Sequence, residues 1–170
     1  MTTVYTIGYE GTDISRFIET LKIMGVEVLA DVRAVAISRK PGFSKTALRT
    51  RLEAEGIAYR HFVDLGDPKP GREAARAGRH AEFQRIYTTH LDGAGPQEAF
   101  QSLADVASQG ATCLLCFERD PKGCHRTIIA DRLKAHGMSV FDLFGDLPSR
   151  YERYGTKQPG GYSRQGAAAA

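Results

Sequence analysis

Five polar side chains crowd one short stretch of the chain: Cys116-x-Glu118, then five residues, then Cys124-His125-Arg126. The pattern reads as the end of a buried strand, a loop holding Pro121 and Gly123, and the start of a helix, so all five side chains can converge. A thiol at a helix N-terminus has its thiolate favoured by the helix dipole and by a neighbouring cation. Cys124, with Arg126 close by, meets both conditions. Three chemistries fit the group. In a catalytic site Cys116 or Cys124 is the nucleophile, Glu118 an acid or base, and His125 a proton relay near neutral pH. In a metal centre Cys116, Cys124 and His125, with Glu118 as a further donor, ligate zinc or iron, although neither Cys-x7-Cys nor an adjacent Cys-His is a zinc-ribbon spacing. In a structural corner the cysteines pack as small core residues and Glu118 pairs with Arg126. Cys113 sits inside the strand without a polar neighbour and is expected in the core. Free N–H groups at the helix start, with Arg126, suit a phosphate or carboxylate, so a small anionic substrate is expected.

A second group lies at Asp31-Val32-Arg33, where alternation along a strand puts Asp31 and Arg33 on one face. Asp31 could hold a ribose hydroxyl while Arg33 grips a phosphate, or the two could simply close the strand as an ion pair. The loop that follows, Ser38-Arg39-Lys40-Pro41-Gly42-Phe43-Ser44, is basic. It is expected to be flexible, to offer Ser38 and Arg39 to a phosphorylated ligand, and to end in an exposed aromatic at a helix start. Tyr9-Glu10-Gly11 leaves the first strand, with Tyr9 a substrate contact and Glu10 a second carboxylate opposite Glu118, or else an ordinary turn acid. Neither Gly-x-Gly-x-x-Gly nor a Walker A sequence occurs, so no NAD, FAD or ATP site is predicted. Lys69, Arg72, Arg76 and Arg79 make a further basic stretch, readable as a solvated face, a lid or a phosphate-contact loop.

The elements that must hold these residues alternate between strand and helix. Val4 to Gly8 reads as a buried strand; Asp13 caps a helix whose Ile14, Phe17, Ile18, Leu21 and Met24 form one apolar stripe ended by Gly25. Strands at Val26 to Val32 and Ile57 to Val63 flank a helix capped by Ser44. Asp64 to Gly78 reads as a long exposed loop, followed by helices marked by Phe83, Ile86, Tyr87 and Leu91 and by Phe100, Leu103, Ala104 and Ala107. A strand at Thr112 to Phe117, a helix from about Cys124 to His136 and a strand at Val140 to Phe144 complete the set. The expected fold is a single Rossmann-like α/β domain over residues 1–147, with a mostly parallel five-stranded sheet ordered 3-2-1-4-5 and helices on both faces. Ligands then bind beyond the carboxyl ends of strands one and four. Residues 148–170, basic with Tyr and Gly, are expected to form a poorly ordered tail.

Composition sets the outer limits. With 170 residues, 42% apolar and 25% charged, the chain is a globular domain and not a coiled coil or collagen. A net charge of +3 is small for a dedicated electrostatic nucleic-acid binder, though a local basic surface for DNA or RNA remains open. No apolar run approaches the roughly 20 residues that span a bilayer, so no membrane association and a cytoplasmic location are expected. Three cysteines within twelve residues suit reduced thiols or a metal better than secreted disulfides.

The ordered set Thr6-Ile7-Gly8-Tyr9, Asp31-Val32-Arg33, Ser38-Arg39-x-Pro41-x-Phe43-Ser44, Leu65-Gly66 and Cys116-x-Glu118 with Cys124-His125-Arg126 resembles the family of small bacterial and archaeal proteins known as domain of unknown function 488. The likeness runs nearly to Leu147. It carries over Tyr9, Asp31, Arg33, Cys116, Glu118, Cys124, His125 and Arg126, and implies a small cytoplasmic α/β protein, some of whose relatives bear DNA-repair labels. Ala36-Ile37 departs from the resemblance, since relatives often place a proline before the Ser-Arg. The expected function is hydrolysis or group transfer on a phosphorylated or nucleobase-containing substrate; the alternatives are a nucleic-acid-binding or DNA-repair module and a structural zinc or iron site.

Overall fold

The computed structural model describes residues 2–155. Five parallel strands form one sheet: β1 (Thr3–Gly8), β2 (Val28–Asp31), β3 (Ala58–His61), β4 (Thr112–Cys116) and β5 (Ser139–Phe144). The helices are α1 (Ile14–Ile23), α2 (Lys45–Ala54), α3 (Lys69–Arg76), α4 (His80–Leu91), α5 (Ala94–Gln109), α6 (His125–Ala135) and the short α7 (Glu152–Gly155). No helix among the described residues is long and apolar enough to cross a membrane.

Side-chain alternation along each strand splits the core in two. On one face Tyr5, Ile7, Leu29, Cys113 and Leu115 meet Phe17, Ile18 and Leu21 of α1 and Leu48 and Leu52 of α2. On the other, Val4, Ala30 and Leu114 meet Phe83, Tyr87 and Leu91 of α4, Leu103 and Ala107 of α5, and Ile129 and Leu133 of α6. The α1 stripe is the expected one, and Asp13 does cap it, its Oδ1 accepting from Arg16 N at 2.9 Å. Cys113 is fully buried, as its setting predicts.

The strand order is 3-2-4-1-5, not the expected 3-2-1-4-5. Both orders leave the partly exposed β3 and β5 at the edges and bury β1 and β4, so burial does not rank the central pair. Length does. The observed order runs 4, 4, 5, 6 and 6 residues from β3 to β5, letting β1 and β5 pair along all six positions from Thr3↔Ser139 to Gly8↔Phe144. No residue of either strand then lacks an opposite number across the β1–β5 ladder. The swap sets β4 directly beside β2, with Val32 N donating to Leu115 O at 3.1 Å, so Asp31-Val32-Arg33 flanks the cysteine corner.

Three local expectations are corrected. Asp64 to Gly78 is not a plain loop: a 3-10 turn at Val63–Leu65 leads into α3, whose first turn carries Pro70, where a missing N–H costs nothing. The loop before α2 does not display an aromatic. Phe43 is fully buried, stacked on Tyr9 at 4.6 Å and set edge-on to Phe17 at 5.2 Å. Ser44 does not cap α2 with its side chain; its Oγ accepts from Ser38 N at 3.0 Å and donates to Ser38 O at 3.1 Å, closing the loop on itself. Past Leu147, Pro148–Tyr151 forms a 3-10 turn whose Tyr151 is buried in the α1 layer, accepting from Phe144 N at 2.8 Å. The rest of the expected tail, 156–170, lies outside the described residues.

Candidate functional site

The site is built where β4 ends and α6 begins. Gly8, last residue of β1, pairs with Cys116, last residue of β4. A Cβ on Gly8 would lie 1.7 Å from Glu118 O, so only glycine lets the chain leaving β4 fold across the end of β1. The Glu118 carbonyl so placed accepts from Arg126 Nη1. Arg126 is fully buried and spends its other donors on Arg119 O at 3.1 Å, Thr6 Oγ1 at 3.2 Å and Cys116 Sγ at 2.8 Å. It is a buried cation whose hydrogen-bond partners are carbonyls, a hydroxyl and sulfur, with the Asp142 carboxylate beyond the Thr6 hydroxyl. Burial alone would lower its pKa, but the sulfurs of Cys116 and Cys124, together with Asp142, outweigh that and raise it. A negative charge on Cys116 is therefore met at once by the guanidinium.

Cys124, the N-cap of α6, brings its Sγ to 2.7 Å from Cys116 Sγ and 3.4 Å from Glu118 Oε2. The expectation of a thiolate-favouring Cys124 is reversed: burial first, then Cys116 and the charge of Glu118, push its pKa well up, and Arg126 only partly offsets them. Dipole and cation are both present, and desolvation wins. Glu118 goes the other way. Burial would raise it, but its own backbone amide, Cys116, His125 and Cys124 together hold it below the usual carboxylate value. His125 is buried under Tyr87, edge-on at 5.4 Å. Its Nε2 lies 2.6 Å from Val32 O, and a carbonyl only accepts, so the proton sits on Nε2. Nδ1, 3.8 Å from Cys124 Sγ, keeps its lone pair. Burial lowers the pKa of His125, so the ring is held towards its neutral form.

These groups line a cavity of about 740 Å³ over the carboxyl end of the sheet. Cys116, Glu118, Cys124 and His125 share it with Asp67, which sequence reasoning missed. Asp67 is buried, and its Oδ1 has no hydrogen-bond partner. Burial raises its pKa to about 7, the Glu118 charge adding to the shift and Arg72 opposing it. It is wedged against α3: a Cβ on Gly71 would lie 2.0 Å from Oδ1. Its setting between Leu65-Gly66 and Pro68 was the signal that could have found it. Arg39, Arg72, Arg76 and Lys122 line the cavity with positive charge, and Val35, Ile37 and Phe117, 54%, 77% and 46% exposed, give it apolar edges.

The other predicted residues divide. Tyr9, Arg33, Ser38 and Arg39 line the cavity. Asp31 does not: fully buried, it takes Arg33 Nε at 2.9 Å and Nη2 at 2.7 Å, and Tyr59 OH at 2.5 Å. The ion pair closes the strand, and Arg33 Nη1 is spent on Phe43 O at 2.8 Å. Arg33 also stands over the Tyr9 ring at 5.3 Å. Glu10 is exposed, accepts from Arg119 N at 3.0 Å and is outside the cavity lining. Arg126 is outside it too and reaches the cavity through the residues it holds, Cys116 first among them.

A metal would find Cys116, Glu118 and Cys124, whose donor atoms lie within 4.8 Å of one another. His125 is not in that set, although its Nδ1 lies 3.8 Å from Cys124 Sγ. Two thiolates on one zinc at about 2.3 Å each stand about 3.8 Å apart. The sulfurs at 2.7 Å would have to separate by about 1 Å to accept it.

Fold and site together define a doubly wound α/β protein with a buried pair of thiols at the carboxyl edge of its sheet. The chain belongs to the family described as Domain of unknown function DUF488, whose model matches residues 13–133. That span takes in Asp31, Asp67 and the whole Cys116–Arg126 corner and stops short of Tyr9. No curated protein and no solved structure matches the chain.

Proposed function

We propose that the protein is a cysteine-dependent hydrolase or transferase acting on a phosphorylated, nucleotide-like substrate. The observation that supports this reading is the single cavity shared by a guanidinium-backed thiol, a buried carboxyl with a pKa near 7 and a cationic, apolar-edged wall. The phosphate lies against Arg39, Arg72, Arg76 and Lys122, and the flat, less polar part lies against Tyr9, Ile37 and Phe117. Cys116, as thiolate, attacks the electrophilic carbon or phosphorus and forms a sulfur–substrate bond, while the leaving group departs with the Asp67 proton. Water, or an alcohol acceptor, then breaks that bond, returns its proton to Asp67 and frees the thiolate. His125 holds Cys124 in place through Nδ1.

The test is a turnover screen of nucleotides, phosphorylated sugars and oligonucleotides with wild-type protein and Cys116→Ser. Expected is activity on a phosphorylated or nucleobase-bearing compound that falls by about 100-fold or more in the variant. Absence of turnover and of ligand-induced thermal stabilisation across the screen overturns the reading.

A further inference from the structure

We propose that Cys116 and Cys124 are also a redox-active dithiol that a hydroperoxide converts into an intramolecular disulfide. Hydrolysis or transfer needs one sulfur, and the structure supplies two at 2.7 Å, inside the distance at which unbonded sulfurs pack and close to the roughly 2.05 Å of a disulfide. Both are free thiols. They are differently equipped. Arg126 donates to Cys116 at 2.8 Å, while Cys124 faces the Glu118 carboxylate at 3.4 Å and the imidazole Nδ1 at 3.8 Å. The first setting favours attack by sulfur, and the second places acceptors for a proton that Cys124 gives up. Both residues line the cavity, which is the route by which a small peroxide would reach them. Cys113, on the opposite face of the sheet, is in the core and takes no part.

The steps balance. The Cys116 sulfur attacks one oxygen of the hydroperoxide; an S–O bond forms, the O–O bond breaks, and the other oxygen leaves with a proton as water or alcohol. Cys116 is now a sulfenic acid, oxidised by two electrons. The Cys124 sulfur then attacks the Cys116 sulfur; the S–S bond forms, the S–O bond breaks, and hydroxide leaves with the Cys124 proton as water. An external dithiol returns both to thiols by exchange. The closed ring spans only the loop 117–123, so the change is local to the cavity wall.

The experiment treats the full chain, freed of metal by a chelator, with equimolar hydrogen peroxide. It follows intact mass, blocked-thiol count and peptide linkage. Expected is the loss of two hydrogens, a Cys116–Cys124 link on fragmentation, and recovery of both thiols with dithiothreitol. Cys124→Ser is expected to stop at a sulfenic acid that a cyclic 1,3-dione captures, and Cys116→Ser to oxidise roughly tenfold more slowly or less. Unchanged alkylation of both thiols, a link to Cys113 or a link between chains overturns the proposal. Because the wild-type linkage map needs no variant, a misfolded variant does not rescue it. The outcome is separable from the hydrolase reading: a disulfide without turnover sinks only the latter, and turnover without a disulfide sinks only the former.

Discussion

Asp67 carries the clearest test at the level of a single side chain. Unfolded, its carboxyl releases a proton near the ordinary value; folded, it does so near 7. Between those two pH values the unfolded chain holds fewer protons than the native one, so this group makes stability fall as pH rises through the window and stay level above it. Denaturant titrations of wild type and Asp67→Asn from pH 4 to 8 are expected to show that fall, worth a few kcal/mol, in the wild type only. Parallel curves would show that Asp67 ionises normally. Arg126 gives a second test. Arg126→Met leaves the Glu118 and Arg119 carbonyls without their donor and is expected to cost about 3 kcal/mol in urea unfolding. At this scale the sequence showed which residues gather, because Cys116, Glu118, Cys124 and His125 are neighbours in the chain. It could not show that desolvation would override the helix dipole at Cys124, or that Asp67 would arrive from an element more than forty residues away.

Among the elements, the contact between the end of β1 and the chain leaving β4 is the point of control. Gly8→Ala is expected to force the loop 117–119 off the sheet, at a cost of about 3 kcal/mol, and to speed alkylation of Cys116 by a neutral reagent. Unchanged alkylation would separate the loop from the site. The five strands and most of the longer helices were legible from their period; α1 with its Asp13 cap and Gly25 stop is the clearest case. The order of β1 and β4 was not, since both are buried and their ranking rests on pairing lengths across the sheet. The α3 segment was hidden for a related reason. Its Pro-Lys-Pro-Gly run reads as a loop until Pro70 is placed in a first turn and Gly71 against Asp67.

For the whole molecule, the net charge of +3 hides where charge is concentrated. Arg39, Arg72, Arg76 and Lys122 gather on one cavity. Replacing Arg39 and Arg76 together by alanine is expected to weaken binding of a nucleoside monophosphate by about tenfold, flatten its salt dependence and leave alkylation of Cys116 unchanged. Calorimetry at two ionic strengths checks this; an unaltered affinity would move the anion site elsewhere. The C-terminal boundary is a property of the same scale. Tyr151 fills the α1 layer, so a chain ending at Leu147 is expected to be about 2 kcal/mol less stable than one ending at Gly155. Equal stability would support the boundary read from composition.

The hydrogen bond between His125 and Val32 has a consequence for proton traffic. An imidazole that relays protons takes one at one nitrogen and passes one on from the other. Here the Nε2 proton points into a backbone carbonyl, which does not carry a proton onward. A proton that Nδ1 takes from Cys124 leaves again from Nδ1, to the sulfur or to the cavity that His125 lines. The ring is a cul-de-sac, with one nitrogen serving as both entrance and exit.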